Sequence, residues 1–393
     1  MKKLVLALAA TTFMSTAALA EDIKIGVFLG FTGPIESTVA NMGPGAELAI
    51  KEVSDSGALL DGIKVEAVRG DTTCIDAAAA TAAAERLITT DKVKALVGGD
   101  CSGVTGAALQ NVARPNGIVM ISPSATSPGL STAEDDGLFF RTAPSDARQG
   151  EIVRDILMEK GVKSVAITYT NNDYGKGLAE AIQKNFEAAG GKVTISAAHE
   201  DGKGDYSAEV GALAQAGGEV LVVAGYLDQG GKGIIQAALD TGAFDTFYLP
   251  DGMAGDSLVE AIGSGLNGSY GANPGTDSPG ASTYADMAKA AGFEAAAFSA
   301  ESYDAAALIL LAMQAAGSTE SAKLKEKVME VANAPGEKIF PGELAKALKI
   351  LKDGGDIDYV GASAVELVGP GESAGNYREF EIKDGKIETV KYR

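Results

Sequence analysis

The chain has 393 residues, 53 of them acidic and 33 basic, for a formal charge of −20. So acidic a chain repels nucleic acid and anionic membrane surfaces, and its length suffices for two domains of ordinary size. One histidine and two cysteines give no repeated metal-ligand spacing.

Residues 1–20, MKKLVLALAATTFMSTAALA, read as a secretory signal peptide. Lys2 and Lys3 precede an apolar run from Leu4 to Met14, and Ala18-Leu19-Ala20 supplies a small-x-small cleavage site. The run is too short and wrongly flanked for a membrane anchor. Both lysines leave with it, taking the charge from −20 to −22. No cysteine follows the cleavage site, so no lipid anchor is expected there. A free export points to a Gram-negative periplasm.

Ile23–Leu29 reads as a strand and residues 41–53 as a helix. Short apolar runs at 65–68, 95–97, 118–121, 165–169, 193–195 and 220–223 repeat the strand pattern between helical or glycine-rich segments. The alanine-rich run 77–84 reads as helix, because Leu87 and Ile88 continue its apolar face. Ile152, Val153, Ile156 and Leu157 mark a helix before Gly161. Leu178, Ile182 and Phe186 mark another that Gly190-Gly191 stop. Residues 305–313 are expected as a buried core helix and 341–352 as an amphipathic one. Residues 379–392 read as a strand pair turning at Asp384-Gly385. Such β-α alternation argues for parallel sheets covered by helices on both faces. The pattern restarts after about residue 142, which predicts two doubly wound, Rossmann-like α/β lobes. In such folds ligands meet the carboxyl ends of strands.

One such end is VGGDCSGVTGA, residues 97–107. It lacks the lysine and following Ser or Thr of a phosphate-cradling loop. Gly30-Phe-Thr-Gly33 likewise has the wrong spacing for a dinucleotide fingerprint. A hydrolase built on Ser102 would need a base. His199, the one histidine, falls in SAAHEDGK, read as a solvent-exposed loop, and no S-x-x-K pair opens a helix nearby. What survives is a loop for an anionic or polar ligand, stapled by a disulfide. Cys74 and Cys101 each follow a strand at the same sheet edge, and an oxidising compartment would join them.

The sequence resembles the branched-chain amino acid (Leu/Ile/Val) binding protein family of ABC transporters, the type I periplasmic binding fold, across essentially the whole mature chain. The resemblance rests on FTGPIES, GAELAIKEVSDSG, the DTTC…GGDCS pair, MISPSATSPGL, FFRTAPSDARQG, NDYGKG, AGYLDQ, LPDG and IDYVGAS. It implies two lobes joined by a three-strand hinge, with crossovers near Thr142, Gly271 and Arg378. Lobe 1 would comprise residues 21–142 and 271–377, and lobe 2 residues 143–270 and 378–393. It also implies the Cys74–Cys101 disulfide. Ser102, Ser124, Ala125 and Thr126 would hold a ligand carboxylate through hydroxyls and backbone groups. Several oriented dipoles can neutralise a carboxylate without a formal positive charge. Tyr174 and Tyr226 would close over the ligand, and Asp251 would meet its α-ammonium. Helix capping is the competing role for Ser102 and Thr126, and a solvated strand end the competing one for Asp251.

Two departures bear on the cargo. The family's amino acid binders often place an aromatic where this chain has Thr38, and Asp251 is a methylene shorter than their common glutamate. The resulting expectation is a periplasmic receptor that does no chemistry and uses no cofactor. As a monomer without a membrane anchor, it would deliver a small amino acid of the branched-chain or aliphatic type to an ABC permease and its ATPase subunits. The alternatives are an amine-free carboxylate (an aromatic or hydroxy acid) or a small amide as cargo, and a ligand-sensing regulatory protein.

Overall fold

The structure, a computed structural model, describes residues 22–393; the signal peptide expected at 1–20 lies outside them. Five parallel strands come first: β1 (Ile23–Leu29), β2 (Val65–Asp71), β3 (Leu96–Gly98), β4 (Met120–Ser122) and β5 (Phe139–Pro144). A second parallel set follows: β6 (Ser164–Thr170), β7 (Lys192–His199), β8 (Val220–Ala224), β9 (Phe247–Leu249) and β10 (Tyr270–Pro274). β11 (Glu337–Ile339) and β12 (Ile357–Tyr359) form a small parallel pair. The short strands β13 (Leu367–Val368) and β14 (Glu372–Ser373) return to the first sheet, and β15 (Tyr377–Lys383) and β16 (Lys386–Tyr392) to the second.

The two sheets share one plan. Their orders are β13-β14-β5-β4-β3-β1-β2 and β16-β15-β10-β9-β8-β6-β7. In each, the first strand in the sequence stands next to one edge and the chain then winds in both directions. The switch points lie between β1 and β3 and between β6 and β8. Side chains and glycine turns explain the regularity. β8 is VLVVA, buried along its whole length, as a central strand covered on both faces must be.

Three expectations shift. The first helix runs Glu36–Ser56, starting five residues early, so Thr38 sits on its first turn rather than in a loop. β10 pairs antiparallel with β15 through Pro274, opposite Tyr377. The passage expected at Gly271 therefore comes after Pro274, and the last one precedes Tyr377 rather than falling at Arg378. The third is His199. It ends β7 and is 1% exposed, because the strand continues four residues past Ile195 and carries the ring beneath Tyr206. Polar composition around it conceals a buried position.

The helix Ser299–Ala316 is buried on nearly every face and contains the predicted 305–313 core. Its Asp304 accepts from the Tyr359 hydroxyl, the N–H groups of Ala362 and Ser363, and the Ser363 hydroxyl, which offsets the cost of burying a carboxylate. Among the described residues, no helix is long and apolar enough to cross a membrane.

Candidate functional site

The carboxyl ends of both switch points face one cavity. Ile35, Thr38, Asp100, Ser102, Ser124 and Phe298 line it from the first sheet's side, Tyr174, Tyr226, Asp251 and Gly252 from the second's. Its volume is about 30 Å³, roughly one water's share of liquid. Around this cavity the two sides lie close together, and the two tyrosines pack against each other on its wall. Their rings stack at 5.2 Å between centroids and 15° between planes.

On the first side, Gly98 takes φ +139, and a Cβ there would stand 2.0 Å from the Phe28 carbonyl oxygen, so only glycine makes the turn. The turn sends Asp100 under the site. Its carboxylate accepts from the Gly30 N–H and the Thr72 hydroxyl, both at 2.7 Å, tying three strand-end loops together. Burial raises its pKa and these hydrogen bonds oppose the rise. Cys74 and Cys101 are disulfide-bonded, with Cα atoms 5.1 Å apart, and clamp two of the same loops.

Ser102 opens the helix Ser102–Ala108, but its hydroxyl does not cap that helix. Its Oγ instead accepts from the Ser127 N–H at 3.0 Å, which leaves the hydroxyl proton for a ligand. Ser124 Oγ donates to the Asp100 carbonyl at 3.1 Å, and the Ala125 N–H is held by Ser122 Oγ at 2.9 Å. Thr126 Oγ is fully buried, beside the Asp146 carboxyl. Beneath this loop lies Arg141, 1% exposed. Its guanidinium donates to the carbonyls of Ala125 and Ser127 at 2.9 and 3.0 Å and to Glu372 at 2.6 Å. The loop's carbonyls are therefore occupied from below.

On the second side, Asn172 caps the helix Asp173–Ala188 by accepting from the Gly175 N–H, which sets Tyr174 on its first turn. The Tyr174 hydroxyl donates to Asp251 Oδ1 at 2.7 Å, and the Gly252 N–H approaches the same oxygen at 2.8 Å. A Cβ on Gly252 would meet the Tyr174 hydroxyl at 2.6 Å, so glycine permits this approach. Asp251 is 3% exposed, and burial raises its pKa against those hydrogen bonds. Its N–H donates to Gln149 Oε1, whose Nε2 donates to Asp146; the Asp146 N–H donates to the Thr126 carbonyl. One polar chain thus runs from the Ser124–Ser127 loop to Asp251. Burial first, then nearby Asp251, pushes Asp146 well above the usual carboxylate range.

Six of the residues read from sequence, Thr38, Ser102, Ser124, Tyr174, Tyr226 and Asp251, meet at the cavity. Ala125 and Thr126 stand behind it. Sequence reasoning misses Phe298, which lies in an alanine-rich run, and it assigns no role to Asp100, Arg141 or Gln149. Asp100 carries the best signal, being two residues from Ser102 in the same glycine loop. Among the described residues no cluster of His, Cys, Asp and Glu could hold a metal.

The sequence pattern of the periplasmic binding protein family matches residues 22–344. The chain is 32% identical over 316 residues to Leu/Ile/Val-binding protein homolog 1 of Brucella melitensis, covering 79% of this chain and 82% of that one. The branched-chain amino acid transporter substrate-binding protein of Streptococcus pneumoniae, solved with isoleucine, superposes with a TM-score of 0.77 at 24% identity, covering 94% of this chain and 99% of that one. A solute-binding protein of an ABC transporter from Rhodopseudomonas palustris, solved with p-hydroxybenzoic acid, gives 0.76 at 19%, covering 95% and 97%. By this match and by the two facing doubly wound sheets, the chain belongs to the periplasmic binding protein family and has its type I fold.

Proposed function

We propose that the protein is the periplasmic solute receptor of an ABC importer and encloses an amino acid between its lobes. The observation that carries the reading is the placement of Ser102 and Asp251 on opposite walls of one buried cavity. The ligand carboxylate would accept from the Ser102 hydroxyl and from the backbone at Ser124, with Ala125 and Thr126 supporting that wall from behind. Its ammonium would meet Asp251, whose Oδ1 is engaged by Tyr174 and Gly252, leaving Oδ2 for the ligand. A carboxylate buried so deeply gains from a cation beside it. Ile35, Phe298 and the tyrosine rings suit the aliphatic part of a side chain, in keeping with relatives named for leucine, isoleucine and valine.

The sheets act as two lobes, with chain passages at 144–146, 274–279 and 373–377 as the hinge. Ligand binding favours the closed form, which a membrane permease and its ATPase subunits would recognise. The protein acts as a monomer and catalyses nothing. An amine-free carboxylate is the second reading, since a protonated Asp251 could donate to one and burial favours that form.

The test is thermal unfolding of the mature protein, stripped of cargo by refolding, against L-amino acids and their des-amino and hydroxy-acid analogues. A ligand at a hundred times its Kd stabilises by about 2.7 kcal/mol. A shift with amino acids alone supports the reading. An equal shift with the analogues transfers it to amine-free acids.

A further inference from the structure

A second cavity of about 630 Å³ adjoins the first and shares Thr38 and Phe298 with it. The first is far below the ~300–1,000 Å³ of ordinary ligand pockets, whereas the second lies within that range. A ligand held by Ser102 and Asp251 would reach this space past Thr38, a small side chain that lines both cavities.

Among the described residues, Arg378 is the only basic one lining the second cavity. Its Nε and Nη2 both donate to the neutral amide oxygen of Asn273, at 3.3 and 3.2 Å, and among the described residues no carboxylate stands within ion-pair distance. Most of the five guanidinium donors are thus left over, in a partly desolvated site. A cation taken from water without a counter-charge favours an anion that can enter. Glu301 lines the same cavity at 3% exposure, and its own peptide N–H donates to its carboxyl. Burial raises its pKa to about 8, against its own peptide N–H and the Arg378 charge, which weakens it as a competing anion. Asp304 nearby is saturated by Tyr359, Ala362 and Ser363. Asp256 and Glu294, also on the lining, are exposed to solvent and screened.

We propose that the cargo is an α-amino acid whose side chain ends in a second carboxylate, received by Arg378 with Glu301 beside it. The inference rests on the head-group reading of the first cavity and replaces the aliphatic end of the side chain with an acidic one. Arg378 is then the residue that sets specificity.

Calorimetry on the refolded protein would compare L-aspartate, L-glutamate and L-2-aminoadipate with L-asparagine, L-glutamine and L-leucine. At least one diacid should bind tenfold or more tightly than its amide and than leucine. Arg378→Gln should cut that preference to within about threefold, and Arg378→Lys should keep part of it. Amides or leucine binding as tightly as the diacids would overturn the proposal, as would a preference surviving Arg378→Gln. If the diacids bind but Asp251→Asn leaves their affinity unchanged, the head-group reading fails while Arg378 still reads a carboxylate. If no amino acid binds, both fall.

Discussion

The Tyr174 hydroxyl and Asp251 Oδ1 lie 2.7 Å apart, joining the first turn of one helix to the end of β9 within the same lobe. A donor to a charged group contributes about 1.5–3 kcal/mol. Here it opposes the rise in pKa that burial imposes on the carboxyl and aims the group across the cavity. Tyr174→Phe keeps the ring stacked on Tyr226 and removes only the hydroxyl. Amino acid affinity is expected to fall about 10- to 100-fold, with little change in the unliganded fold. Calorimetry that returns wild-type affinity would remove Tyr174 from the head-group machinery.

The disulfide makes a second prediction. Thr73 and Cys74 both take left-handed backbone angles, φ 58 and 65, which L-residues disfavour. The turn is held by the Cys74 N–H donating to Thr72 Oγ, and by the bridge to Cys101 across 27 residues. Replacing both cysteines by alanine should cost about 3 to 4 kcal/mol in the chain-entropy model, read by urea unfolding. Asp100 still ties the loops, so ligand affinity should fall by less than the stability change implies. A complete loss of binding in the folded variant would show that the bridge itself shapes the site.

The site residues legible in sequence are those that follow a strand end in a short polar motif. Ser102 is readable from its place after an apolar run, where a doubly wound sheet presents its ligand groups; Tyr174, Tyr226 and Asp251 follow from the family resemblance, and the structure puts each just past a strand end. Phe298 and Glu301 have no such signal, because they reach the cleft only when the helix Ser299–Ala316 returns to pack on the first. Arg141 is present in FFRTAPSDARQG, yet nothing local distinguishes a buried cation from a surface one. Its burial follows from Glu372, 231 residues away, meeting its guanidinium. His199 misleads for the opposite reason, since its acidic and glycine neighbours mask the end of a strand.

His199 carries the pH prediction. Its Nδ1 lies 2.8 Å from Thr168 Oγ, and Nε2 has no partner. Burial lowers its pKa from 6.5 to about 4, although Glu209 and Glu200 pull the other way. The folded state therefore favours the neutral ring. That stability is fully present above pH 6.5 and is lost as pH falls through the folded value near 4. The loss amounts to about 3 kcal/mol. Asp251, raised by burial, has the opposite dependence, being most favourable to the fold when protonated at low pH. Comparing His199→Gln with the parent chain by urea unfolding at pH 7 and pH 4.5 isolates the histidine. The variant should lose less stability on acidification; equal losses would mean that His199 is charged in the folded protein.

Asp228 joins the lobes without lining the first cavity. Its carboxylate accepts from the Ser37 N–H and hydroxyl, at 2.9 and 2.8 Å, and from the Ser257 hydroxyl, while its own N–H donates to the Pro34 carbonyl. Ser37 and Pro34 belong to the first sheet's side and Asp228 to the second's, so the Ser37 and Pro34 bonds cross from one lobe to the other, whereas the Ser257 bond stays within one. Asp228→Ala removes the side-chain contacts and should shift the unliganded protein toward the open form. Apparent affinity scales with the fraction that is binding-competent, so a roughly 5- to 20-fold weakening corresponds to about 1–2 kcal/mol of lost closure energy. Small-angle scattering should show a larger unliganded radius of gyration than the parent's, and the same compact radius at saturating ligand. If the variant is as compact as the parent when empty and binds as tightly, closure is held by packing of Tyr174 and Tyr226, and Asp228 is a solvated surface contact.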